Sequence, residues 1–342
     1  SDLLKRSPTN YGDFQDKVDA IIKNVRDNGD KAVFDYTAQF DKAEINADNI
    51  LVTEEEIKEA YEEVDDELIK VIRKAIKNIR DFHEKQIQKS WFETREDGVM
   101  LGQKVTPMET CGVYVPGGKA VYPSSVLMNI VPAHVAGVKN IIMTTPPGKD
   151  GKVTANTLVA AKEAGATKVY KVGAAQAIAA MAFGTESIPK VDKIVGPGNI
   201  FVALAKKAVY GNVSIDSIAG PSEILVLADE TANPRYVAAD LLSQAEHDEM
   251  ASAILVTTSE ELAHKVSDEI DGFLNQLSRK EIMEKSLDSF GYILVASDMK
   301  EAIDTANAIA SEHMEIMTAN PFDVMTRIKN AGAIFIGAYS CE

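Results

Sequence analysis

The chain has 342 residues, enough for two ordinary domains and a sizeable core. Its 36 basic and 52 acidic residues give a net charge of −16, which repels nucleic acid and anionic lipid and disfavours both as partners. No apolar run approaches the roughly 18 residues of a membrane span, and the first ten residues carry charges and a proline, unlike a signal peptide. The two cysteines, Cys111 and Cys341, match neither a disulfide framework nor a zinc spacing. These features predict a soluble cytoplasmic protein.

The first hundred residues have mostly helical patterns. Apolar residues from Phe14 to Val25 recur at helical spacing, and the sequence Asn28-Gly29 predicts the end of that helix. Thr53 with Glu56 fits a capping box for a short second helix. A longer helix is predicted over about 65–89, with Asp65 as its N-cap.

From Cys111 onward, short apolar runs alternate with alanine-rich helical stretches, which predicts βαβ units and parallel sheets. The expected fold class is therefore α/β: two doubly wound, incomplete Rossmann-like lobes with a helical N-terminal region. The predicted strands are Gly112–Val115, Asn140–Thr144, Lys168–Val172, Lys193–Val195, Ser214–Ile218, Glu223–Ala228, Ser252–Thr257, Tyr292–Ala296, Glu315–Met317 and Ala333–Ile336.

Glycine and proline turns follow the strands of the first lobe, where the loops of a parallel sheet gather on one edge. They lie at 115–119, 145–148, 173–176, 196–199 and 219–223. Each could be an ordinary tight turn, but several on one edge favour a nucleotide or a similar ligand. Because the usual G-x-G-x-x-G fingerprint is missing, the turns predict a binding edge without identifying NAD.

Two histidine segments have chemically useful neighbours. Gln244 and His247 are three residues apart and share a helix face, yet an amide is a poor zinc ligand, so a surface or packing role is favoured from the residues alone. Glu312 and His313 fall at a predicted helix end, and both can face one cavity only if the helix breaks there. In that case the imidazole can take a proton from an alcohol and the carboxylate can activate water. A pair that simply faces solvent remains the alternative. Of the remaining histidines, His83 and His264 are expected to be solvated and His134 structural.

These motifs together resemble those of the histidinol dehydrogenase family, in the family's order and from about Leu3 to Gly337. The matching segments are Gly112-Val-Tyr-Val-Pro-Gly-Gly-Lys119, Tyr122-Pro-Ser-Ser-Val-Leu-Met128, Gln176-Ala-Ile-Ala-Ala180, Gly196-Pro-Gly-Asn199, Ala219-Gly-Pro-Ser-Glu223, Ser243-Gln-Ala-Glu-His247 and Ser311-Glu-His313.

The resemblance implies oxidation of L-histidinol to L-histidine through an enzyme-bound histidinaldehyde, with two NAD⁺ reduced in turn, as the last stage of histidine biosynthesis. It also implies a zinc-dependent homodimer. The lobe over 114–223 would be an inserted NAD-binding lobe, and 1–113 with 224–342 would form the other, discontinuous lobe carrying the Glu-His pair. The implied contacts are Tyr114, Gln176 and Asn199 for NAD; Ser222, Gln244, His247 and His313 for histidinol; Gln244 and His247 for zinc; and Glu312 and His313 as the acid–base pair.

The sequence also departs from the family pattern. The family's remaining zinc ligands, an aspartate and a histidine, and a further substrate-binding glutamate are expected beyond residue 342, and Ala174 replaces a glycine usual in its turn. One alternative is therefore a truncated, catalytically incompetent nucleotide-binding relative of the same fold. Another is a relative that acts on a different amino alcohol or hydroxy acid.

Overall fold

The computed structural model describes residues 12–117, 123–218 and 220–341. The chain divides into two compact units, one within residues 10–219 and the other beginning at residue 220. This grouping differs from the predicted division, which assigned the helical N-terminal region to the C-terminal lobe. The difference has a physical cause, since Val18 and Val25 of the first helix lie in one buried cluster with Ile178 and Val202 of the unit ending at residue 219.

The N-terminal helices are α1 (Gly12–Phe40), α2 (Glu54–Glu63) and α3 (Asp66–His83), and a 3₁₀ turn, Glu84–Gln86, follows. At the predicted stop, Gly29 leaves the helical conformation with φ 53° and ψ −134°, but a second helical stretch continues directly to Phe40. The capping box of Thr53 and Glu56 is formed in both directions, and the Asp65 side chain accepts from Glu67 N–H as an N-cap. The third helix ends earlier than predicted, at His83.

A two-stranded antiparallel hairpin was missed by the sequence reasoning. It pairs β1 (Trp91–Thr94) with β2 (Met100–Gln103). Every residue of both strands is exposed, so the hairpin has no buried face to impose the alternation that would have marked it.

The first unit contains a parallel sheet whose five described strands have the order β5-β4-β3-β6-β7. Helices α1, α6 and α7 share one buried cluster on this sheet, while α2 to α5 share the other. The strands are β3 (Thr110–Tyr114), β4 (Asn140–Thr145), β5 (Lys168–Lys171), β6 (Lys193–Val195) and β7 (Ser214–Ile215), and the helices are α4 (Pro123–Val135), α5 (Ala155–Ala164), α6 (Ala174–Phe183) and α7 (Ile200–Val209).

The second unit repeats this strand order, β10-β9-β8-β11-β12, again parallel among the described strands. Helices α8 and α9 pack with Ile224 and Val226 on one face, and α11 and α12 pack with Leu225 and Leu227 on the other. The strands are β8 (Glu223–Ala228), β9 (Ser252–Thr257), β10 (Gly291–Val295), β11 (His313–Met317) and β12 (Ala333–Ile336), and the helices are α8 (Pro234–Ala245), α9 (Glu260–Leu274), α10 (Lys280–Phe290), α11 (Met299–Ile309) and α12 (Pro321–Met325).

The α/β fold class with two doubly wound parallel sheets is thus confirmed. In each unit the first strand lies between the second and the fourth, which makes a topological switch point beside it. In the part of the chain that the structure describes, no helix combines the length and apolarity needed to cross a membrane.

Candidate active site

The three residues expected to contact NAD lie at the carboxyl edge of the first unit's sheet. Tyr114 ends β3, Gln176 lies in the first turn of α6 after β5, and Asn199 is the N-cap of α7 after β6. The Tyr114 side chain is buried, and its hydroxyl oxygen accepts from Ala174 N–H at 3.2 Å. Burial raises the pKa of Tyr114 to about 12, so the phenol is neutral over the physiological range. The edge predicted from the glycine turns is therefore the one where these side chains gather.

Gln176 is the residue on this edge whose environment most calls for a ligand. It is 0% exposed, and neither Nε2 nor Oε1 has a hydrogen-bond partner among the described residues. Such a buried, unpaired amide costs roughly 1–3 kcal/mol for each unsatisfied group. A bound polar molecule that reaches this amide would recover part of that cost, which fits a nucleotide cofactor.

The loop after β6 is held tightly against β3 at the switch point. Gly196 has φ +119°, and a Cβ there would overlap the carbonyl oxygen of Tyr114, so only glycine fits. Its N–H donates to Asp216 Oδ2 at 2.8 Å, and its carbonyl oxygen accepts from Lys206 Nζ at 2.9 Å. Lys206, which is almost fully buried, also forms an ion pair with Asp216. At the end of this loop, Asn199 accepts from the first amides of α7, so the helix N-terminus faces the carboxyl edge.

A cavity of about 630 Å³ opens beside the ends of β3 and β4 in the same unit. Asp41, which follows α1, lines it, and its Oδ2 is buried without a hydrogen-bond partner in the described structure. Burial raises the pKa of Asp41 to about 6. Sequence reasoning missed this residue, because a lone aspartate after a helix carries no motif.

Four residues that the sequence motifs placed at this edge, Gly118, Lys119, Tyr122 and Ala219, lie outside the described residues.

In the second unit, the structure brings together two of the predicted site residues that are far apart in sequence. Gln244 lies in the last turn of α8, and His313 begins β11. The Nδ1 of His313 is 3.2 Å from the Oε1 of Gln244, and the Gln244 side chain is only 3% exposed. An amide oxygen can only accept, so in this contact the Nδ1 of His313 acts as the donor. The contact therefore fixes the position of the His313 ring beside Gln244.

The helix break that Glu312 and His313 require is present. Helix α11 ends at Ile309, and Ala310 adopts a left-handed conformation with φ 56°, so β11 can begin at His313. Glu312 is exposed, and its carbonyl oxygen accepts from Ala333 N–H at 2.8 Å. A Cβ on Gly332 would lie 2.6 Å from this oxygen, so glycine is needed for the close approach of β12.

Ser222 and His247 lie at the same edge of this sheet. Ser222 immediately precedes β8, whose Ile224 pairs with His313, and its carbonyl oxygen accepts from Ser252 N–H at 3.0 Å. His247 is exposed in the turn after α8, where its N–H donates to the carbonyl oxygen of Gln244 at 3.1 Å. This edge holds the amino ends of the strands, whereas ligands of open α/β sheets usually bind at the carboxyl ends.

The described residues do not by themselves complete a zinc site. They contain no group of three or more histidine, cysteine, aspartate or glutamate residues placed to hold a metal. Gln244 and His247 supply at most two ligands, while protein zinc takes four, or three and a water.

The remaining histidines lie apart from these sites. His264 is highly exposed and 4.0 Å from Glu260, as expected of a solvated side chain. His83 contacts Gln86 in the 3₁₀ turn region at 2.7 Å. His134, expected to be structural, is exposed on α4.

Comparison with known proteins decides the family. The family profile described as histidinol dehydrogenase matches residues 4–342. The chain belongs to the histidinol dehydrogenase family. It is 58% identical to the histidinol dehydrogenase of Bacillus subtilis over 340 residues, which is 99% of this chain and 79% of that protein. The histidinol dehydrogenase of Clostridium acetobutylicum is 58% identical over 322 residues, 94% of this chain and 74% of that protein.

The fold agrees with that of a solved histidinol dehydrogenase. The crystal structure of histidinol dehydrogenase from Elizabethkingia anophelis matches with a TM-score of 0.95 and 40% identity, over 99% of this chain and 78% of that one. The chain is thus a dehydrogenase of the histidine-biosynthesis type. The roles of its individual site residues stay predictions.

Proposed function

We propose that this chain oxidises L-histidinol to L-histidine in two successive NAD-dependent steps through a histidinaldehyde that stays bound. The contact between His313 Nδ1 and Gln244 Oε1, at 3.2 Å, is the observation that carries the proposal. It holds the imidazole of His313 at the edge where Ser222 and Glu312 also lie, and in the proposed mechanism Nε2 of this ring is the base. The names of the related proteins supply the substrate.

In the first step, His313 Nε2 takes the hydroxyl proton of the alcohol while the carbon loses a hydride. NAD⁺, when bound, supplies the hydride acceptor. Removing the proton as hydride leaves avoids a cationic carbon and gives the aldehyde, and a positioned base of this kind contributes roughly 10²–10⁴-fold to rate. Gln244 Oε1 accepts from Nδ1 both before and after Nε2 gains the proton, so it can hold the ring orientation through the whole step.

The second step requires water, because an aldehyde has no hydroxyl to deprotonate. Glu312 is exposed beside His313 in the chain and can take a proton from water as its oxygen adds to the aldehyde carbon. As the water oxygen adds, protonated His313 returns its proton to the former carbonyl oxygen, which gives the hydrate and restores the base. His313 can then take a hydroxyl proton of the hydrate while the second hydride leaves to a second NAD⁺, when bound, and the carboxylic acid formed loses its proton to water to give the carboxylate. Retaining the aldehyde prevents its side reactions.

On the nucleotide side, we propose that Tyr114, Gln176 and Asn199 contact NAD. The buried, unpaired amide of Gln176 supports this assignment most directly. The N-termini of α6 and α7 present backbone N–H groups at this edge, which suits a pyrophosphate.

Zinc dependence remains a proposal in which Gln244 and His247 would be the ligands that the described residues contribute. A bound zinc would serve to anchor substrate nitrogens. Two ligands give a weakly held ion, so we expect the metal to be lost on dialysis against a chelator. Stoichiometric zinc after dialysis, measured by elemental analysis, would contradict the expected weak binding of the metal.

A homodimer and a cytoplasmic location, which the family resemblance implies, are also proposals. Sedimentation equilibrium of the purified chain tests the first, and cell fractionation of the producing organism tests the second.

The decisive experiment supplies L-histidinol and excess NAD⁺ and counts the NADH formed. Two NADH for each histidinol are expected, whereas one would exclude the four-electron reaction. The variant His313→Ala should lose turnover and keep NADH binding, while His264→Ala, at a highly exposed histidine, should leave both unchanged. If the unaltered chain binds NADH but never turns over, the noncatalytic relative is the correct interpretation.

A further inference from the structure

The cavity beside β3 and β4 is large enough to hold one part of a dinucleotide. Its volume of about 630 Å³ is in the range of small-molecule sites. Residues of the loops after β3 and β4 and of the start of α5 line it, so it lies at the carboxyl edge of the sheet. They include Pro116, Gly117, Thr145, Pro146 and Thr154.

In dinucleotide-binding folds, an acidic side chain near the end of the second strand accepts from the hydroxyls of the adenosine ribose. The second strand of this sheet is β4, and the four residues Thr145-Pro146-Pro147-Gly148 at its end include no acid. Asp150, further along this loop, also lines the cavity, but its Oδ1 already accepts from Lys152 N–H at 3.0 Å. Asp41 brings a carboxylate to the same cavity from the end of α1, a different part of the chain.

The state of this carboxylate favours a ligand. Asp41 Oδ2 is buried, and among the described residues no donor reaches it. Asp41 N–H is used in the backbone, where it donates to Thr37 O at 2.9 Å, so the residue is fixed at the helix end while its side chain remains available. A neutral vicinal diol would supply the missing donors without adding charge beside the carboxylate.

We propose that Asp41 accepts hydrogen bonds from the adenosine ribose hydroxyls of NAD and thereby selects NAD over NADP. This inference rests on the proposed NAD-dependent function. A 2′-phosphate in place of the 2′-hydroxyl removes a donor and places negative charge against the carboxylate. The proposed discrimination between NAD and NADP depends on the adenosine ribose alone and involves no contact with the nicotinamide.

The test measures equilibrium binding of NADH and NADPH to the full chain, by nucleotide fluorescence, with no substrate present. The unaltered chain should bind NADH more tightly than NADPH. The isosteric Asp41→Asn variant should bind NADH roughly tenfold or more weakly and lose most of the preference, since hydrogen bonds to a charged acceptor are the stronger kind. Glu62→Gln, which removes one exposed charge outside the cavity lining, is the matched control and should keep the preference.

Two smaller nucleotides test whether Asp41 acts on the ribose 2′-hydroxyl. ADP should bind the unaltered chain more tightly than 2′-deoxy-ADP, and Asp41→Asn should reduce that difference. Equal NADH binding by the variant and the unaltered chain, or an equal loss for NADH and NADPH, would overturn the assignment of Asp41 alone. If the unaltered chain binds neither dinucleotide, the NAD proposal itself fails and this inference fails with it.

Discussion

One buried lysine, Lys206, holds the loop that carries Asn199. We expect the replacement of Lys206 to lower the stability of the fold by a measurable amount. Lys206 pairs with Asp216 and donates to the carbonyl oxygen of Gly196 at 2.9 Å. In Lys206→Met the apolar stem is kept, while the charge and both polar contacts are lost. The change therefore tests the contacts more than the packing.

The expected cost follows from burial. The Lys206 side chain is 4% exposed and that of Asp216 is 31% exposed. Breaking a buried pair costs about 3–5 kcal/mol, but water can partly solvate the aspartate left behind, so about 2–3 kcal/mol is expected. For a unit of this size, that corresponds to a fall of roughly 5–10 °C in melting temperature.

Thermal unfolding followed by circular dichroism measures this fall, and Lys207→Met is the control because Lys207 is the next residue and exposed. The control should shift the melting temperature little. The double variant Lys206→Met with Asp216→Asn should cost less than the sum of the two single variants, because no unpaired charge remains. Two results would refute this reasoning: Lys206→Met lowers the melting temperature no more than Lys207→Met does, or the losses of stability in the two single variants simply add up in the double variant. Either would show that Lys206 and Asp216 do not stabilise this loop as a pair.

Three further changes have defined outcomes. Gly332→Ala places a methyl group 2.6 Å from the Glu312 carbonyl oxygen, so we expect a loss of about 1–3 kcal/mol in stability and a fall in kcat with unchanged NADH binding, measured by denaturant melts and steady-state kinetics. Thr53→Ala removes the cap that pairs with Glu56 and should cost about 1 kcal/mol, whereas Thr53→Ser should cost less. The pKa of Asp41 is raised to about 6 from 3.8, so the folded chain loses stability as pH rises from about 4 to 6. Without nucleotide, Asp41→Asn should therefore be more stable than the unaltered chain by about 1 kcal/mol at pH 7, a figure discounted for solvent at this half-buried group, and no more stable at pH 4.

Much of the fold could be predicted because a strand that is buried on both faces of its sheet has a continuous apolar sequence. The predicted strands at 140–144 and 252–257 are apolar runs, and the structure places them inside the two parallel sheets. The strands β1 and β2 of the hairpin show no such apolar run because all of their residues are exposed. The packing of α1 on α6 was not predictable either, since an apolar stripe shows that a helix packs but not against what.

The site shows a similar limit. Gln244 and His313 are 69 residues apart, and no local pattern relates them. They meet because β11 lies beside β8 and α8 runs back from the carboxyl end of β8 to its amino end. An amide is a poor zinc ligand, so the residue type of Gln244 alone does not predict a place in the site, whereas the family resemblance does.

The partial charges at the helix ends give a reason why the proposed nucleotide site lies at the carboxyl edge of the first sheet and the proposed histidinol site at the amino edge of the second. At the carboxyl edge of the first sheet, α6 and α7 begin, and their N-termini carry partial positive charge suited to a pyrophosphate. At the amino edge of the second sheet, α8 and α11 end, and their C-termini carry partial negative charge. An amino alcohol, an imidazolium or a metal ion is favoured there, and a phosphate is not. The amino edge is therefore the electrostatically suitable place for the His313 site, even though it departs from the usual location of ligands in this class of sheet.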